Sequence, residues 1–210
     1  QTCARLFFFQ AEDGIRGSPV TGVQTVLFRS TSDRKPSGII LWPHGGPHSR
    51  TTEEYRPDIE AAVSHGFDVI QPNFRGSAGY GREFLLADRM DLAGGDYQDC
   101  LNALEDWIAA NGQQDLPTFM TGTSYGGYLT AWAVGHTNRF SAAVAVNAVT
   151  NIESFYALTD IPGWVRWEFG GTPLTQRRLI HERSPVRYIN KATTPTLVRS
   201  EEHTLNSSHW

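Results

Sequence analysis

Gly122-Thr123-Ser124-Tyr125-Gly126-Gly127 is the stretch that decides how this chain folds. It has the form G-x-S-x-G, the pattern of a nucleophile elbow. Before it, Leu116-Pro117-Thr118-Phe119-Met120-Thr121 reads as a strand; after it, Tyr125 to Val134 reads as a helix. A serine at a sharp strand-to-helix turn has its hydroxyl lifted clear of the sheet, and small glycines let the backbone make the turn. The helix N-terminus then offers backbone N–H groups and a positive dipole end where negative charge would develop on an oxygen. By itself the pattern also fits an ordinary glycine-rich turn with a bystander serine, so its context must decide.

A second motif supplies that context. His44-Gly45-Gly46-Pro47-His48 follows the apolar run Gly38-Ile39-Ile40-Leu41-Trp42-Pro43. An H-G-G loop at the end of an earlier strand is where α/β-hydrolases carry their other oxyanion donor. The expected donors are the backbone N–H groups of Gly46 and Tyr125. His44 and His48 could be paired as metal ligands on spacing alone, but Gly-Gly-Pro between them rules out the helix that would put both rings on one face. No metal and no cofactor are expected.

With both motifs in order, the chain resembles the catalytic domain of the prolyl oligopeptidase family of serine peptidases, and within it the acylaminoacyl-peptidase branch. The resemblance also rests on Asn73-Phe74-Arg75-Gly76-Ser77-Ala78-Gly79-Tyr80-Gly81, Gly94-Gly95-Asp96-Tyr97, Thr159-Asp160-Ile161-Pro162, Gly170-Gly171-Thr172-Pro173 and Ser184-Pro185-Val186-Arg187-Tyr188. It covers nearly all of residues 32–198. It implies an α/β-hydrolase fold, a short peptide or acyl-peptide substrate, and an upstream β-propeller gating access. Nothing in this chain reads as the propeller.

The rest of the sequence agrees with an α/β class, a mostly parallel sheet flanked by helices. Phe67-Asp68-Val69-Ile70-Gln71 is a β-rich run ending at Pro72. Asp96 to Asn111 places Tyr97, Leu101, Leu104, Trp107 and Ile108 at helical spacing, with Gly112 as its stop. Ala142 to Val146 is a continuous apolar run, as in a buried parallel strand, and Thr196-Leu197-Val198 begins another. Strands alternating with helices imply a sheet covered on both faces.

Composition narrows the function classes. The chain has 210 residues and a formal net charge of −4, which gives no reason to expect nucleic acid. No stretch is long and apolar enough to cross a membrane as a helix. Cys3 and Cys100 do not make a disulfide framework, and Cys100 is best read as a buried thiol. The compartment is not fixed by these features, with a cytoplasmic one weakly favoured.

The two ends read differently. Residues 1–31 and 199–210 show no sustained period of either kind. Leu27-Phe28-Arg29-Ser30 can be written CTC TTC CGA TCT, whose reverse complement encodes Arg199-Ser200-Glu201-Glu202. Val20-Thr21-Gly22-Val23-Gln24 can be written GTG ACT GGA GTT CAG, whose reverse complement encodes Leu205-Asn206-Ser207-Ser208-His209. One DNA segment in inverted orientation at both ends resembles translated sequencing-adapter read-through. The expected organisation is an artefactual or disordered segment over 1–31, a partial hydrolase domain over 32–198, C-terminally incomplete, and an artefactual or disordered tail over 199–210.

In this fold the triad order is Ser, then Asp or Glu, then His. The resemblance puts the acid just after the strand beginning at Thr196 and the histidine one strand later, so both are expected to be absent from the chain. Glu201, Glu202, His203 and His209 are set aside because the inverted match explains them. The nucleophile is expected to be Ser124. Trp164 and Trp167 are candidates for an apolar substrate pocket, with core packing favoured for both. Arg75 could meet a substrate carboxylate or pin its glycine-rich loop, and the loop role is favoured. Two rival functions remain: a carboxylesterase, which would use the same elbow and loop, and a hydrolase-like domain that binds without turnover.

Overall fold

The computed structural model describes residues 5–10, 24–29 and 35–200. Among these, seven strands form one sheet: β1 (Arg5–Gln10), β2 (Gln24–Arg29), β3 (Gly38–Leu41), β4 (Phe67–Asn73), β5 (Thr118–Thr123), β6 (Ala142–Val146) and β7 (Thr196–Arg199). Their order is β1-β2-β4-β3-β5-β6-β7. The β1–β2 and β2–β4 pairs are antiparallel, and the remaining pairs from β4 through β7 are parallel. The sheet is mostly parallel, as the alternation of strand and helix patterns implies.

Helices cover both faces, and the period-2 pattern of the strands sorts the side chains between them. Val26 and Phe28 of β2 and Val69 of β4 pack with Ile59 and Val63 of α1 (Pro57–Ser64). The intervening Leu27 and Ile70 join Ile39 and Leu41 of β3 in the larger core on the other face. That core receives α3 (Gly95–Asn111) through Leu104, Trp107 and Ile108, and α4 (Tyr125–His136) through Tyr128, Leu129 and Trp132. The short α2 (Arg82–Leu85) lies between α1 and α3 in the chain. After β6 come α5 (Ile152–Leu158), α6 (Pro162–Glu168), α7 (Arg177–Glu182) and a 3-10 turn over Pro185–Lys191.

Local signals explain the boundaries. Gly112 ends α3 in the left-handed conformation at φ 61°, the usual glycine stop. Asn151 caps α5 by accepting a 3.1 Å hydrogen bond from the Ser154 amide. β4 runs on through Pro72, where the sequence suggested a stop. The Ile70 carbonyl accepts from Trp42 on the β3 side, so the proline nitrogen two residues on faces the same side, beyond the end of β3 at Leu41. Its missing N–H therefore removes no ladder bond there.

Part of the 1–31 segment lies in the sheet: β2 pairs with β4 from Gln24↔Asn73 to Phe28↔Val69, and Val26, Leu27 and Phe28 are buried. The reason is local. Thr25-Val26-Leu27-Phe28 is a short continuous β-prone run, so it needs no alternation to sit in a strand covered on both faces. The open edge of β4 supplies a row of backbone partners for it. Residues 11–23 and 201–210, including Glu201, Glu202, His203 and His209, lie outside the described residues.

Candidate active site

Ser124 sits at the junction of β5 and α4, with φ 59° and ψ −115°. A non-glycine residue at positive φ is costly, by about 1–3 kcal/mol, and such outliers cluster at functional sites. The surrounding sequence is what lets the chain adopt it. A β-carbon on Gly122 would lie 2.4 Å from the Gly126 carbonyl carbon, one on Gly126 would lie 2.2 Å from the Pro43 carbonyl oxygen, and one on Gly127 would lie 2.5 Å from the Val146 carbonyl oxygen. Each clash is with backbone that has no freedom to give way. The glycines of the elbow are thus required by the approach of β3, β6 and α4 to one another. The Ser124 amide is held by the Val146 carbonyl at 3.0 Å.

The His44–His48 loop lies beside the elbow, at the carboxyl end of β3. A β-carbon on Gly45 would be 3.5 Å from Ser124 Cβ and 3.2 Å from the Thr123 carbonyl oxygen. Gly46 follows at φ +130°, where a side chain would meet the backbone nitrogens of His48 and Ser49 at 2.7 and 2.8 Å. Tyr125 opens α4, and a first-turn N–H has no acceptor within its own helix. Both expected oxyanion donors therefore belong to segments that converge on Ser124.

The loop is pinned from two sides by its histidines, which do not share a site. The His44 ring is stacked on Phe74 at 4.4 Å, with Nδ1 2.7 Å from the Gly45 carbonyl and Nε2 2.8 Å from Ser77 Oγ. Ser77 Oγ also donates to the Phe74 carbonyl at 2.6 Å, so the ring, the serine and two backbone carbonyls form one buried hydrogen-bonded chain. Burial lowers the His44 pKa to about 4, against a weaker upward pull from the Gly45 carbonyl, and the ring is neutral at pH 7. His48 turns the other way. Its Nδ1 donates to the Gly76 carbonyl at 2.9 Å and its Nε2 lies 2.7 Å from Glu168 Oε1 at the end of α6.

Behind the elbow, the Tyr125 hydroxyl donates to Asp96 at the start of α3. Asp96 is fully buried, and burial pushes its pKa up to about 6 despite the opposing hydrogen bond from Tyr125. Burial also pushes Asp88 up to about 8, with the Glu168 carboxylate adding to the effect. Glu168 is raised by burial too, opposed by His48. Cys100 is buried, as expected of a packed thiol, and burial raises its pKa well above the usual range.

The other candidates fall in different places. Arg75 is engaged internally. Its Nε and NH2 donate to the two Asp99 carboxylate oxygens at 2.8 and 2.7 Å, and its own amide donates to Asp99 at 3.0 Å. The guanidinium thus braces the glycine-rich loop onto α3 and is spent as a ligand for a substrate carboxylate. Trp164 lies edge-on to Tyr125 at 6.5 Å and to Phe155 at 5.8 Å, and its indole N–H has no partner. It forms part of the wall behind the elbow. Trp167 is half-exposed with the Arg89 guanidinium 4.2 Å over its ring, and it does not share the Trp164–Tyr125 contact. Four of the described histidines hydrogen-bond elsewhere: His65 to Ala61, His136 to Trp132, and His44 and His48 as above. None of these bonds reaches Ser124.

Asp96, Asp88 and Glu168 were not singled out by role in the sequence. Gly94-Gly95-Asp96-Tyr97 was quoted as a motif, but its tie to Tyr125 is a contact across 29 positions with no spacing signal. The His48–Glu168 contact spans 120 positions.

A mostly parallel sheet with a strained serine at a strand-to-helix turn, faced by a glycine loop at the end of a neighbouring strand, defines the α/β-hydrolase fold. The family model described as "Prolyl oligopeptidase family" matches residues 54–202. An uncharacterized peptidase of Bacillus subtilis, YuxL, is 36% identical over 162 residues, spanning 76% of this chain and 25% of that protein. Acylamino-acid-releasing enzyme 2 of rice, Oryza sativa subsp. japonica, is 33% identical over 184 residues, spanning 82% of this chain and 24% of that protein. A solved acylaminoacyl peptidase in complex with Z-Gly-Gly-Phe-chloromethyl ketone superposes with a TM-score of 0.86 at 26% identity, over 95% of this chain and 32% of that one. The chain belongs to the prolyl oligopeptidase family, a family of serine peptidases. It spans about a quarter of the length of these curated relatives.

Proposed function

We propose that the chain is the core of a peptidase domain that cleaves short peptides or acyl-peptides, with Ser124 as nucleophile. The observation that carries this reading is the pairing of a strained Ser124 with the Gly45–Gly46 turn packed against its β-carbon. In the reaction, Ser124 Oγ attacks the carbonyl carbon of the scissile bond, and the proton passes to a general base. The Gly46 and Tyr125 amides take the negative charge that builds on the carbonyl oxygen, an effect of about 3–4 kcal/mol per donor. The base returns its proton to the leaving amine, and water then hydrolyses the acyl-enzyme, freeing the acid and restoring the Ser124 hydroxyl.

An acyl-peptide substrate is supported by the relatives, several of which are named acylamino-acid-releasing enzymes, and by the peptidyl chloromethyl ketone bound to a superposing structure. Trp164, whose ring meets that of Tyr125 edge-on, is the pocket candidate proposed to meet an apolar substrate side chain. The base and its orienting acid are proposed to come from sequence beyond the 210 residues, since none of the described histidine hydrogen bonds reaches Ser124. A gating β-propeller upstream is proposed on the family resemblance.

The test is a substrate panel on the domain extended through a family-like acid and histidine, alongside the 210-residue chain. Cleavage of acyl-peptides by the extended domain, with the shorter chain at the background rate and Ser124→Ala abolishing turnover, is the expected result. Preference for simple esters over acyl-peptides would make it a carboxylesterase. No Ser124-dependent turnover of either class in the extended domain would leave a binding domain.

A further inference from the structure

The carboxylates behind the oxyanion loop do not balance on protein contacts alone. Asp88, Asp96 and Glu168 are all solvent-inaccessible. Four of their oxygens have no hydrogen-bond partner: both on Asp88, Oδ1 of Asp96 and Oε2 of Glu168. Buried charges are ordinarily paired or bound to metal, and an orphaned buried polar group calls for an ion or water. His48 faces this group. Its Nδ1 donates to the Gly76 carbonyl, so the 2.7 Å contact between Nε2 and the Glu168 carboxyl oxygen holds a proton, carried by the ring or by the acid, or gives way to a cation. A proton there settles Glu168 Oε1 and leaves both oxygens of Asp88 orphaned.

We infer that His48 Nε2 and the carboxylates of Asp88 and Glu168 form a binding site for one divalent first-row cation, of the zinc or manganese kind. The three ligand atoms lie within 4.8 Å of one another. One imidazole and two carboxylates are a donor set that zinc accepts, with a water completing the shell. The Nδ1 bond to a backbone carbonyl is the contact that orients a metal-bound histidine. Gly76 makes the room. A β-carbon there would lie 2.3 Å from Asp88 Oδ2, so the carboxylate can reach the site only past a glycine. At zinc–ligand distances of about 2.0–2.2 Å, tetrahedral ligands stand roughly 3.4 Å apart. Binding therefore displaces the proton held in the His48–Glu168 contact and opens that contact by about 0.7 Å.

Spacing alone pairs His48 with His44, which turns inward to Ser77, so no sequence pattern marks this site. The ligands come instead from the oxyanion loop, the turn after α2 and the last residue of α6. A cation there clamps the segment carrying Gly46 to α6. The inference concerns the fold and stands apart from whether the chain turns over substrate.

The test uses the 210-residue chain stripped with a chelator, titrated calorimetrically with zinc, and with magnesium as the control. The expected result is one equivalent of zinc, a raised thermal midpoint, and little response to magnesium. Asp88→Asn and Glu168→Gln should each weaken zinc at least tenfold while keeping the circular dichroism of the parent. Cobalt(II) on the unsubstituted chain should give the intense visible bands of a four- or five-coordinate site, a readout that needs no variant. No stoichiometric binding would leave His48 and Glu168 as a proton-bridged pair and overturn the inference. Undiminished zinc binding in both variants would place the metal on other histidines and overturn it equally.

Discussion

Gly45 rests against Ser124: a β-carbon on the glycine would stand 3.5 Å from that of the serine. Two residues 79 positions apart in sequence thus share one small space at the carboxyl ends of neighbouring parallel strands. That end of an open α/β sheet is where ligands characteristically bind. The contact needs the elbow glycines on one side and the loop glycines on the other, so both motifs answer one steric demand.

The first consequence concerns which glycines are replaceable. Gly126→Ala drives a β-carbon to 2.2 Å from the Pro43 carbonyl oxygen, and backbone there cannot move without shifting β3. We expect a loss of about 3 kcal/mol or more in urea unfolding, the upper range for overpacking. Gly163 in α6 has nothing within 4 Å of its β-carbon position and no positive φ. Gly163→Ala should stabilise by about 0.5–1 kcal/mol. Equal effects from the two substitutions would contradict this reading of the elbow.

His44 should make stability fall on mild acidification. Its pKa is lowered to about 4 in the folded state, against 6.5 for an ordinary imidazole side chain. Its contribution is full above pH 6.5 and is lost as pH falls towards 4, because only the unfolded chain takes up the proton in that window. At pH 4.5 the loss is about 2–3 kcal/mol. Asp88 and Asp96 are raised and run the opposite way, so the raw slope mixes these groups. The difference between the parent and His44→Asn, which keeps an N–H for the Gly45 carbonyl but does not titrate, isolates the term. A difference independent of pH between 7 and 4.5 would mean that His44 is not held neutral by burial.

The Arg75–Asp99 pair predicts an asymmetric double-mutant cycle. Arg75→Met leaves the Asp99 carboxylate buried and unpaired, and should cost about 3 kcal/mol. Adding Asp99→Leu should recover most of that loss, since the orphaned charge goes with it. Additive penalties in the double variant would indicate that the two side chains act separately.

Much of the fold was legible because its signals are local. The strands around Ile39, Val69, Phe119 and Val144 are short apolar runs, and α3 carries its own period and its own glycine stop. The elbow was legible for the same reason: its residue pattern is confined to six consecutive residues. Elements fixed by remote partners were not readable. Thr25-Val26-Leu27-Phe28 becomes a strand because β4 offers an edge, which its own short run does not announce. Asp96 acquires meaning only when Tyr125 arrives from another element, and Glu168 only when His48 does. Arg75 and Trp167 show the converse, since their residue types suit a substrate pocket while their partners, Asp99 and Arg89, take them elsewhere.

Mass spectrometry of the digested adduct shows which residue a serine-directed peptidyl phosphonate modifies in the domain extended through its acid and histidine. One adduct is expected, on the peptide containing Ser124, formed slowly or not at all in the 210-residue chain and lost on Ser124→Ala. A phosphonate adduct on another serine, or unchanged labelling of the Ser124→Ala protein, would show that the nucleophile lies elsewhere.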